Sequence, residues 1–164
     1  MPILDDRSLE FFSRSADQTR RLGMRLGGLL KTGDVVCLSG DLGAGKTTLV
    51  QGIAQGWGSM DPVTSPTFIL VNLYRRPDKN HFYHLDAYRL EDGSDADELD
   101  IQQMEDNGVL VIEWPERINT AISPERLWIN LSWQSEEQRN MVFLAQGQHY
   151  ERLLNDFRQQ AFGG

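Results

Sequence analysis

Apolar residues recur every three or four positions in three segments of the chain, which predicts three amphipathic helices. Ser15 and Gln18 form a capping box that begins the first helix, and Gly33 is the expected end of that helix. The apolar stripe of the first helix consists of Leu22, Leu26, Leu29 and Leu30. The second stripe consists of Leu49, Ile53 and Trp57, and the third of Tyr150, Leu153, Leu154 and Phe157. Each helix is therefore expected to turn one apolar face towards a core.

Shorter apolar runs, rich in β-branched and aromatic residues, predict strands in six places. These runs are residues 34–39, 67–74, 81–86, 108–114, 127–133 and 140–146. The polar segment "RRPDKN" separates the second run from the third and predicts a hairpin, and the last two runs are expected to form another. Helices that alternate with buried strands and hairpins predict one three-layer α/β domain over residues 1–164, with a mixed central sheet.

The composition narrows the class of protein and its compartment. Of the 164 residues, 40% are hydrophobic and 24% are charged, which is typical of a globular domain. No apolar run approaches the roughly 18 residues that a membrane span needs, and the opening residues lack the basic and apolar regions of an export signal. Cys37 is the single cysteine, so an internal disulfide is not expected. These features predict a cytoplasmic protein that does not associate with membranes.

The net charge of −8 is unevenly distributed along the sequence. The stretch 91–106, "EDGSDADELDIQQMED", has eight acidic residues and no basic one. It is either a solvated loop and helix face or a docking surface for a basic partner. Because affinity for nucleic acid comes mainly from Lys and Arg at phosphates, a chain this acidic is not expected to bind nucleic acid unaided.

A glycine-rich loop, "GDLGAGKT" (40–47), connects a predicted strand to the second predicted helix. The residues that match the pattern G-x-x-x-x-G-K-[ST] are Gly40, Gly45, Lys46 and Thr47, and Gly43 adds a further glycine. Glycines let the backbone curl around a phosphate with its N–H groups pointing inwards, and the start of the helix adds the positive end of its dipole. Lys46 is expected to reach the β- and γ-phosphates, and the Thr47 hydroxyl to bind Mg²⁺. The loop therefore predicts a P-loop NTPase-like domain that binds a nucleoside triphosphate.

Two acidic residues end predicted strands, where ligands bind in open α/β sheets. Glu113 ends "VLVIE", a pattern typical of a Walker B strand, and Asp86 ends "FYHLD". By strand alternation Asp86 shares a face with His84 and Phe82. Either acid is a candidate for the metal or for the attacking water. The histidines lack metal-ligand spacing and are expected to pack in the core or on the surface.

Three classes of P-loop protein remain open on these motifs. No N-K-x-D tetrad follows the loop, which argues against a GTPase. A phosphotransferase acting on a small hydroxylated metabolite would need a lid with arginines, and Arg75, Arg76 and Arg89 keep that class open. The other two classes are an ATPase and a nucleotide-gated interaction module with negligible hydrolysis.

Four segments in register carry a more specific resemblance. They are "GDLGAGKTT" (40–48), "VTSPTF" (63–68), "YHLDAYRL" (83–90) and "VIEWPERI" (111–118). In this order and spacing they resemble the bacterial TsaE (YjeE) family, the ATPase required for threonylcarbamoyladenosine modification of tRNA. The resemblance extends from the helix at Ser15 to the strand at Trp133. It implies that the chain acts on the TsaB–TsaD pair, hydrolyses ATP with Mg²⁺ to reset that pair, and meets tRNA only indirectly.

The resemblance also implies roles for individual residues. It places the phosphates at Gly43, Ala44, Gly45, Lys46, Thr47 and Thr48. Thr47 is assigned to Mg²⁺, and Glu113 and Asp86 are each assigned to the metal or to the attacking water. Thr67 is implied to be a switch-like residue near the γ-phosphate, and Thr19 to lie near the adenine. Trp114 is implied to lie beside the site, where an aromatic residue suits a partner interface.

Overall fold

The computed structural model describes residues 7–41, 45–63, 71–90, 99–136 and 138–162. Its seven strands are β1 (Ser8–Ser13), β2 (Val35–Ser39), β3 (Val71–Arg75), β4 (His81–Asp86), β5 (Gly108–Glu113), β6 (Arg126–Trp133) and β7 (Arg139–Gln146). Its helices are α1 (Ala16–Gly27), α2 (Lys46–Trp57), α3 (Ile101–Asn107) and α4 (Gln148–Phe162), with a 3₁₀ segment at Pro115–Ala121. Within the described residues, no helix is both long and apolar enough to cross a membrane.

The strands form one mixed sheet in the order β1-β7-β6-β2-β5-β4-β3. The four central strands, β6, β2, β5 and β4, run parallel, whereas β3, β7 and β1 are antiparallel to their neighbours. Both predicted hairpins, β3–β4 and β6–β7, are confirmed. The parallel strands bring their carboxyl ends to one edge of the sheet, which is where a ligand is expected in such folds.

Helices cover both faces of the sheet, which confirms the three-layer α/β class. One core contains the apolar faces of α1, α2 and α4 packed on the alternate residues of the central strands. The other core lies between the sheet and α3 with the 3₁₀ segment. On β5, for example, Val109 and Val111 face the first core, and Leu110 and Ile112 face the second. Because both faces are covered, β5 is buried along its whole length, as its apolar sequence predicts.

The first helix ends earlier than its sequence predicts. It ends at Gly27 rather than at Gly33, because the N–H of Gly28 caps the last carbonyls, including that of Met24. Gly33, with φ of 100°, instead lies in the turn that enters β2. Leu30, expected in the helical stripe, is buried from this connecting segment. At the other end the N-cap is confirmed, because the Ser15 hydroxyl accepts a hydrogen bond from the N–H of Gln18, but the Gln18 side chain accepts from the N–H of Arg14 rather than from that of Ser15, so the reciprocal bond of a capping box is displaced by one residue.

Strand β1 was not expected from the sequence. Leu9 and Phe11 are buried in the first core, but Phe12, directly after Phe11, is exposed at the edge of the sheet. Two adjacent aromatic residues conceal the alternation that would have indicated a strand. The strand forms because it pairs along its whole length with β7. The strand predicted for 67–74 begins at Val71 among the described residues, and residues 64–70 lie outside them.

Glycines bring α1 and α2 into backbone contact. A Cβ atom built on Gly27 would lie 2.0 Å from the carbonyl oxygen of Ile53, and one on Gly52 would lie 2.1 Å from that of Arg20. No side chain fits at such distances, so the two helices approach as closely as glycine alone allows. The helix that follows the glycine-rich loop is therefore fixed against α1 along its length.

Candidate nucleotide site

The glycine-rich loop lies at the carboxyl edge of the parallel strands. Strand β2 is central and buried, and after Ser39 the chain leaves the sheet and returns as α2, which begins at Lys46. Gly45 is the N-cap of α2 with φ of 96°, a left-handed conformation that strongly favours glycine. The first-turn N–H groups of α2, including those of Thr47 and Thr48, therefore face this edge and suit an anion. Gly43 and Ala44, assigned to the phosphates, lie outside the described residues, as does Thr67.

Lys46 is turned back over the edge of the sheet rather than into solvent. Only 5% of the residue is exposed. Its ammonium group donates a hydrogen bond to the carbonyl of Gly40 and lies 3.7 Å from the centroid of the Trp114 ring. Burial lowers the pKa of Lys46, and the nearby carboxylates, first that of Glu113, oppose this shift. The lysine therefore lies within electrostatic reach of the acidic strand ends.

The two candidate acids are adjacent. Strands β4 and β5 are parallel, and their register pairs Asp86 with Glu113. Strand β2 pairs with the other side of β5, where Leu38 is opposite Glu113. Burial raises the pKa of Asp86, the N–H of Tyr88 lowers it by donating a hydrogen bond of 2.9 Å, and the charge of Glu113 raises it further. Both carboxylates thus occupy the sheet edge from which the loop begins, on the face that α2 covers.

This donor set fits Mg²⁺ bound together with phosphates. A P-loop hydroxyl at Thr47 and a carboxylate at Glu113 are hard oxygen donors, and Mg²⁺ is usually held by one or two carboxylates plus substrate phosphates. No three His, Cys, Asp or Glu side chains among the described residues converge on a metal position. A cation here would therefore depend on the ligand for part of its coordination.

His84 contacts Glu113 directly, which sequence reasoning missed. Its Nε2 lies 2.6 Å from Oε2 of Glu113, and its Nδ1 lies 3.2 Å from the hydroxyl of Tyr74. The prediction that the histidines pack in the core holds for His84, which is fully buried, but it packs there as a partner of the candidate acid. Alternation placed His84 on the face of Asp86. The missing information was the register between β4 and β5.

Trp114 lies directly after Glu113, at the carboxyl end of β5. Its φ of 60° is left-handed, because the chain turns sharply there from β5 into the 3₁₀ segment that begins at Pro115. The N–H of Trp114 donates to the carbonyl of Leu38, and its ring lies 4.9 Å from that of Tyr88. Trp114 thus lies beside Lys46 and directly after Glu113, while its place beside a bound nucleotide and its partner contact stay predictions.

The first turn of α1 lies next to the strand ends of β1 and β7, and β7 carries a side chain that approaches the glycine-rich loop. Thr19 is buried, and its hydroxyl lies 2.6 Å from that of Ser13, which pairs with Arg139. A Cβ atom on Gly45 would lie 3.4 Å from Nε of Arg139. The segment assigned to the adenine therefore contacts Ser13 at the end of β1, and the strand partner of Ser13 is Arg139, whose side chain lies beside Gly45. Nothing in the sequence indicated Arg139, because its proximity to Gly45 depends on the register in which β7 pairs with β6 and β6 with β2.

Two of the three candidate lid arginines lie away from the site. Arg75 forms a salt bridge with Asp61, and Arg76 bonds Asp78. Arg75 pairs with His81 at the beginning of β4, whereas Asp86 ends that strand. Both arginines therefore lie at the amino ends of the parallel strands, whereas Lys46 lies at their carboxyl ends. Arg89 follows β4 and is exposed near the site.

A family model and several relatives match this chain. The model described as "Threonylcarbamoyl adenosine biosynthesis protein TsaE" matches residues 13–141. A Bacillus subtilis protein named "tRNA threonylcarbamoyladenosine biosynthesis protein TsaE" is 35% identical over 150 residues, which are 92% of this chain and 94% of the relative. A Treponema pallidum protein of the same name is 39% identical over 131 residues, covering 79% of this chain and 96% of the relative.

A solved structure has the same fold. The crystal structure of Bacillus subtilis YdiB superposes with a TM-score of 0.77 at 30% sequence identity. The match covers 94% of this chain and 97% of that chain. The similarity therefore includes the strands that carry Asp86 and Glu113 as well as the outer hairpins.

Proposed function

This chain belongs to the TsaE family of tRNA threonylcarbamoyladenosine biosynthesis proteins, and we propose that it is an ATPase that acts on the TsaB–TsaD pair in that pathway. The observation that supports hydrolysis best is the convergence of Lys46, Asp86 and Glu113 at the carboxyl edge of three adjacent parallel strands. A loop that only bound a nucleotide would need the lysine and the helix N-terminus. Two adjacent acids add groups that can bind a metal and orient water.

Each residue has a distinct task in this proposal. The first turn of α2 binds the phosphates through its N–H groups, and Lys46 leaves the Gly40 carbonyl to contact the β- and γ-phosphates. Thr47 and Glu113 would hold Mg²⁺, which when bound would neutralise charge that develops on the phosphate oxygens. Asp86, whose pKa is raised by burial, is suited to accept a hydrogen bond from a water at the γ-phosphate. The Thr19 segment and Arg139 would lie towards the base and ribose.

The charge of the chain favours protein partners over direct contact with tRNA. A net charge of −8 repels a polyanion, so a role in tRNA modification is best served through TsaB and TsaD. Trp114 and Tyr88 form a partly exposed aromatic pair on the rim of the site. Such a pair suits an interface anchor beside the nucleotide. The phosphotransferase alternative loses support because Arg75 and Arg76 are engaged at the opposite edge of the sheet.

The test is ATP turnover by the purified chain, alone, with the TsaB–TsaD pair, and with a panel of small hydroxylated acceptors. We expect slow hydrolysis alone, faster hydrolysis with the pair, and no phosphorylated acceptor. Binding of tRNA to the isolated chain is measured at the same salt concentration, and no submicromolar affinity is expected. A chain that is indifferent to the pair, or that phosphorylates an acceptor, would overturn the proposal.

A further inference from the structure

Three side chains on adjacent strands form a buried chain of hydrogen bonds that ends at Glu113. The Tyr74 hydroxyl on β3 lies 3.2 Å from Nδ1 of His84 on β4, and Nε2 of His84 lies 2.6 Å from Oε2 of Glu113 on β5. His84 is fully buried, and Tyr74 and Glu113 are buried as well. The chain crosses the sheet on the face that also carries Asp86 and that α2 covers.

The direction of these hydrogen bonds follows from the chemistry of Glu113. An ionised carboxylate only accepts hydrogen bonds, so Nε2 of His84 carries the proton and donates it to Oε2. In the neutral ring Nδ1 is then an acceptor, and the Tyr74 hydroxyl is the donor that occupies it. Tyr74 thereby satisfies the ring nitrogen that the tautomer required by Glu113 leaves as an acceptor.

We propose that His84, held by Tyr74, is a positioning residue for Glu113 during ATP hydrolysis, an inference that rests on the proposed function. His84 engages Oε2 and leaves Oε1 as the oxygen that can face Mg²⁺ or water. Glu113 needs such support because it is the last residue of β5 and the backbone turns to the left-handed conformation at Trp114. A flexible three-torsion side chain at a strand end would otherwise sample several rotamers, and small displacements of a catalytic group lower rates strongly.

Placement in an apolar environment supports a functional role for the histidine. On the same face of the sheet His84 is flanked by Phe82 along β4 and pairs with Val111 on β5, and both neighbours are fully buried. An apolar residue would fill this position without any need for hydrogen bonds, whereas a buried polar ring has to be satisfied at both nitrogens. The arrangement satisfies both nitrogens and directs one of them to the candidate acid.

Two amide substitutions separate positioning from packing. In His84→Gln the amide nitrogen can occupy the place of Nε2 and still donate to Glu113. In His84→Asn the shorter side chain reaches only the place of Nδ1, beside Tyr74. We expect kcat within about threefold of wild type for His84→Gln and a loss of about 10- to 100-fold for His84→Asn, as for other residues that orient a metal-site ligand. KM for ATP should change by less than about threefold in both variants, because the side chain at position 84 is buried and is not expected to contact the nucleotide.

Tyr74→Phe is the matched variant for the outer link. It removes one hydroxyl and keeps the ring, so we expect a smaller loss in kcat, of a few-fold, again without a change in KM. Imidazole ¹⁵N NMR spectra of the chain without nucleotide give a readout that does not depend on activity. They should show the proton on Nε2 in the wild type and in Tyr74→Phe, because Glu113 accepts it in both, and a changed Nδ1 shift in Tyr74→Phe, where Nδ1 has lost its hydrogen-bond donor.

The outcomes distinguish this inference from the function on which it rests. If wild type with the TsaB–TsaD pair hydrolyses no ATP, the proposed function itself is wrong. If wild type is active and a folded His84→Asn variant keeps wild-type kcat, only the positioning role is wrong. Equal losses in His84→Gln and His84→Asn that follow their melting temperatures would also overturn it, because they would indicate packing alone.

Discussion

The ammonium group of Lys46 lies 3.7 Å from the centroid of the Trp114 ring, so the lysine of the glycine-rich loop contacts the aromatic residue that follows the acidic strand end. A cation–π contact of this kind contributes about 0.5–1 kcal/mol, which corresponds to roughly two- to fivefold in an equilibrium constant. Its loss would therefore disturb Lys46 only modestly. The larger consequence of removing Trp114 should appear in the partner complex.

For Trp114→Ala we expect the TsaB–TsaD-dependent increase in ATPase activity to fall tenfold or more, as for a central aromatic anchor of an interface. ATP affinity of the isolated chain should change by no more than about fivefold. Titration of the pair against each variant, with ATP turnover as the signal, measures the first effect. Phe12→Ala is the control, because Phe12 is an exposed aromatic residue on edge strand β1. A Trp114→Ala variant that responds normally to the pair would contradict the interface role.

Lys46→Ala should abolish ATP binding or turnover while the fold is retained. Burial lowers the pKa of Lys46, which means that the charged ammonium group destabilises the folded chain when no nucleotide is bound. The melting temperature is therefore expected to stay the same or to rise. Calorimetric titration with ATP and a thermal melt check both statements, with Lys31→Ala, at an exposed lysine, as the control. Normal turnover in Lys46→Ala would end the P-loop interpretation.

Glu113→Gln and Asp86→Asn should lower turnover by about 10²-fold or more and nucleotide affinity much less. Both substitutions keep the size of the side chain and remove its charge, so they act mainly where charge develops on the γ-phosphoryl group. Single-turnover hydrolysis and equilibrium binding separate the two effects. Asp78→Asn, at the opposite edge of the sheet, provides the matched control. Unchanged turnover in both Glu113→Gln and Asp86→Asn would show that the two acids have no role in hydrolysis.

The stability of Asp86→Asn should depend on pH in a defined direction. Burial raises the pKa of Asp86 above the usual range of an aspartate, so the ionised carboxylate destabilises the folded state. Asparagine keeps an acceptor for the N–H of Tyr88 and removes the buried charge. We expect Asp86→Asn to melt higher than wild type at pH 7, and this difference to disappear as pH falls through the raised pKa of Asp86 towards its unfolded value of about 4. A difference that grows on acidification would contradict the cause assigned to the shift.

The contact between α1 and α2 predicts that neighbouring glycines respond very differently to alanine. Gly27→Ala would place a methyl group 2.0 Å from the carbonyl oxygen of Ile53, and such overpacking costs at least about 1–3 kcal/mol of stability. At Gly28, with φ of −66°, the nearest atoms are 3.7 Å away. Gly28→Ala is therefore expected to change stability by less than about 0.5 kcal/mol. Urea unfolding of both variants measures the difference, and similar values for the two would disprove the close approach.

The sequence predicted the parts of the site that depend on local pattern. The glycine spacing located Lys46, and the strand-end positions located Asp86 and Glu113, because parallel strands share one edge wherever they lie in the sheet. Contacts between strands could not be predicted in the same way. His84 meets Glu113 only in the register that pairs Asp86 with Glu113, and Arg139 approaches Gly45 only once β7 has paired with β6 and β6 with β2. The end of α1 was missed for a similar reason, since Gly27, Gly28 and Gly33 are all suitable terminators until packing against α2 selects among them.

The backbone contact between α1 and α2 couples the position of α2, which follows the glycine-rich loop, to the position of α1. Carbonyl oxygens of one helix lie directly against glycines of the other, so we expect the two helices to move together. We therefore expect that any displacement of Lys46 and Thr47 on addition of a nucleotide would also move Thr19 in the first turn of α1. The hydroxyl contact between Thr19 and Ser13 would pass this displacement to β1, the outer strand at the end of the sheet opposite β3. A displacement at the glycine-rich loop would thus reach a strand that lies three positions away from β2 in the sheet.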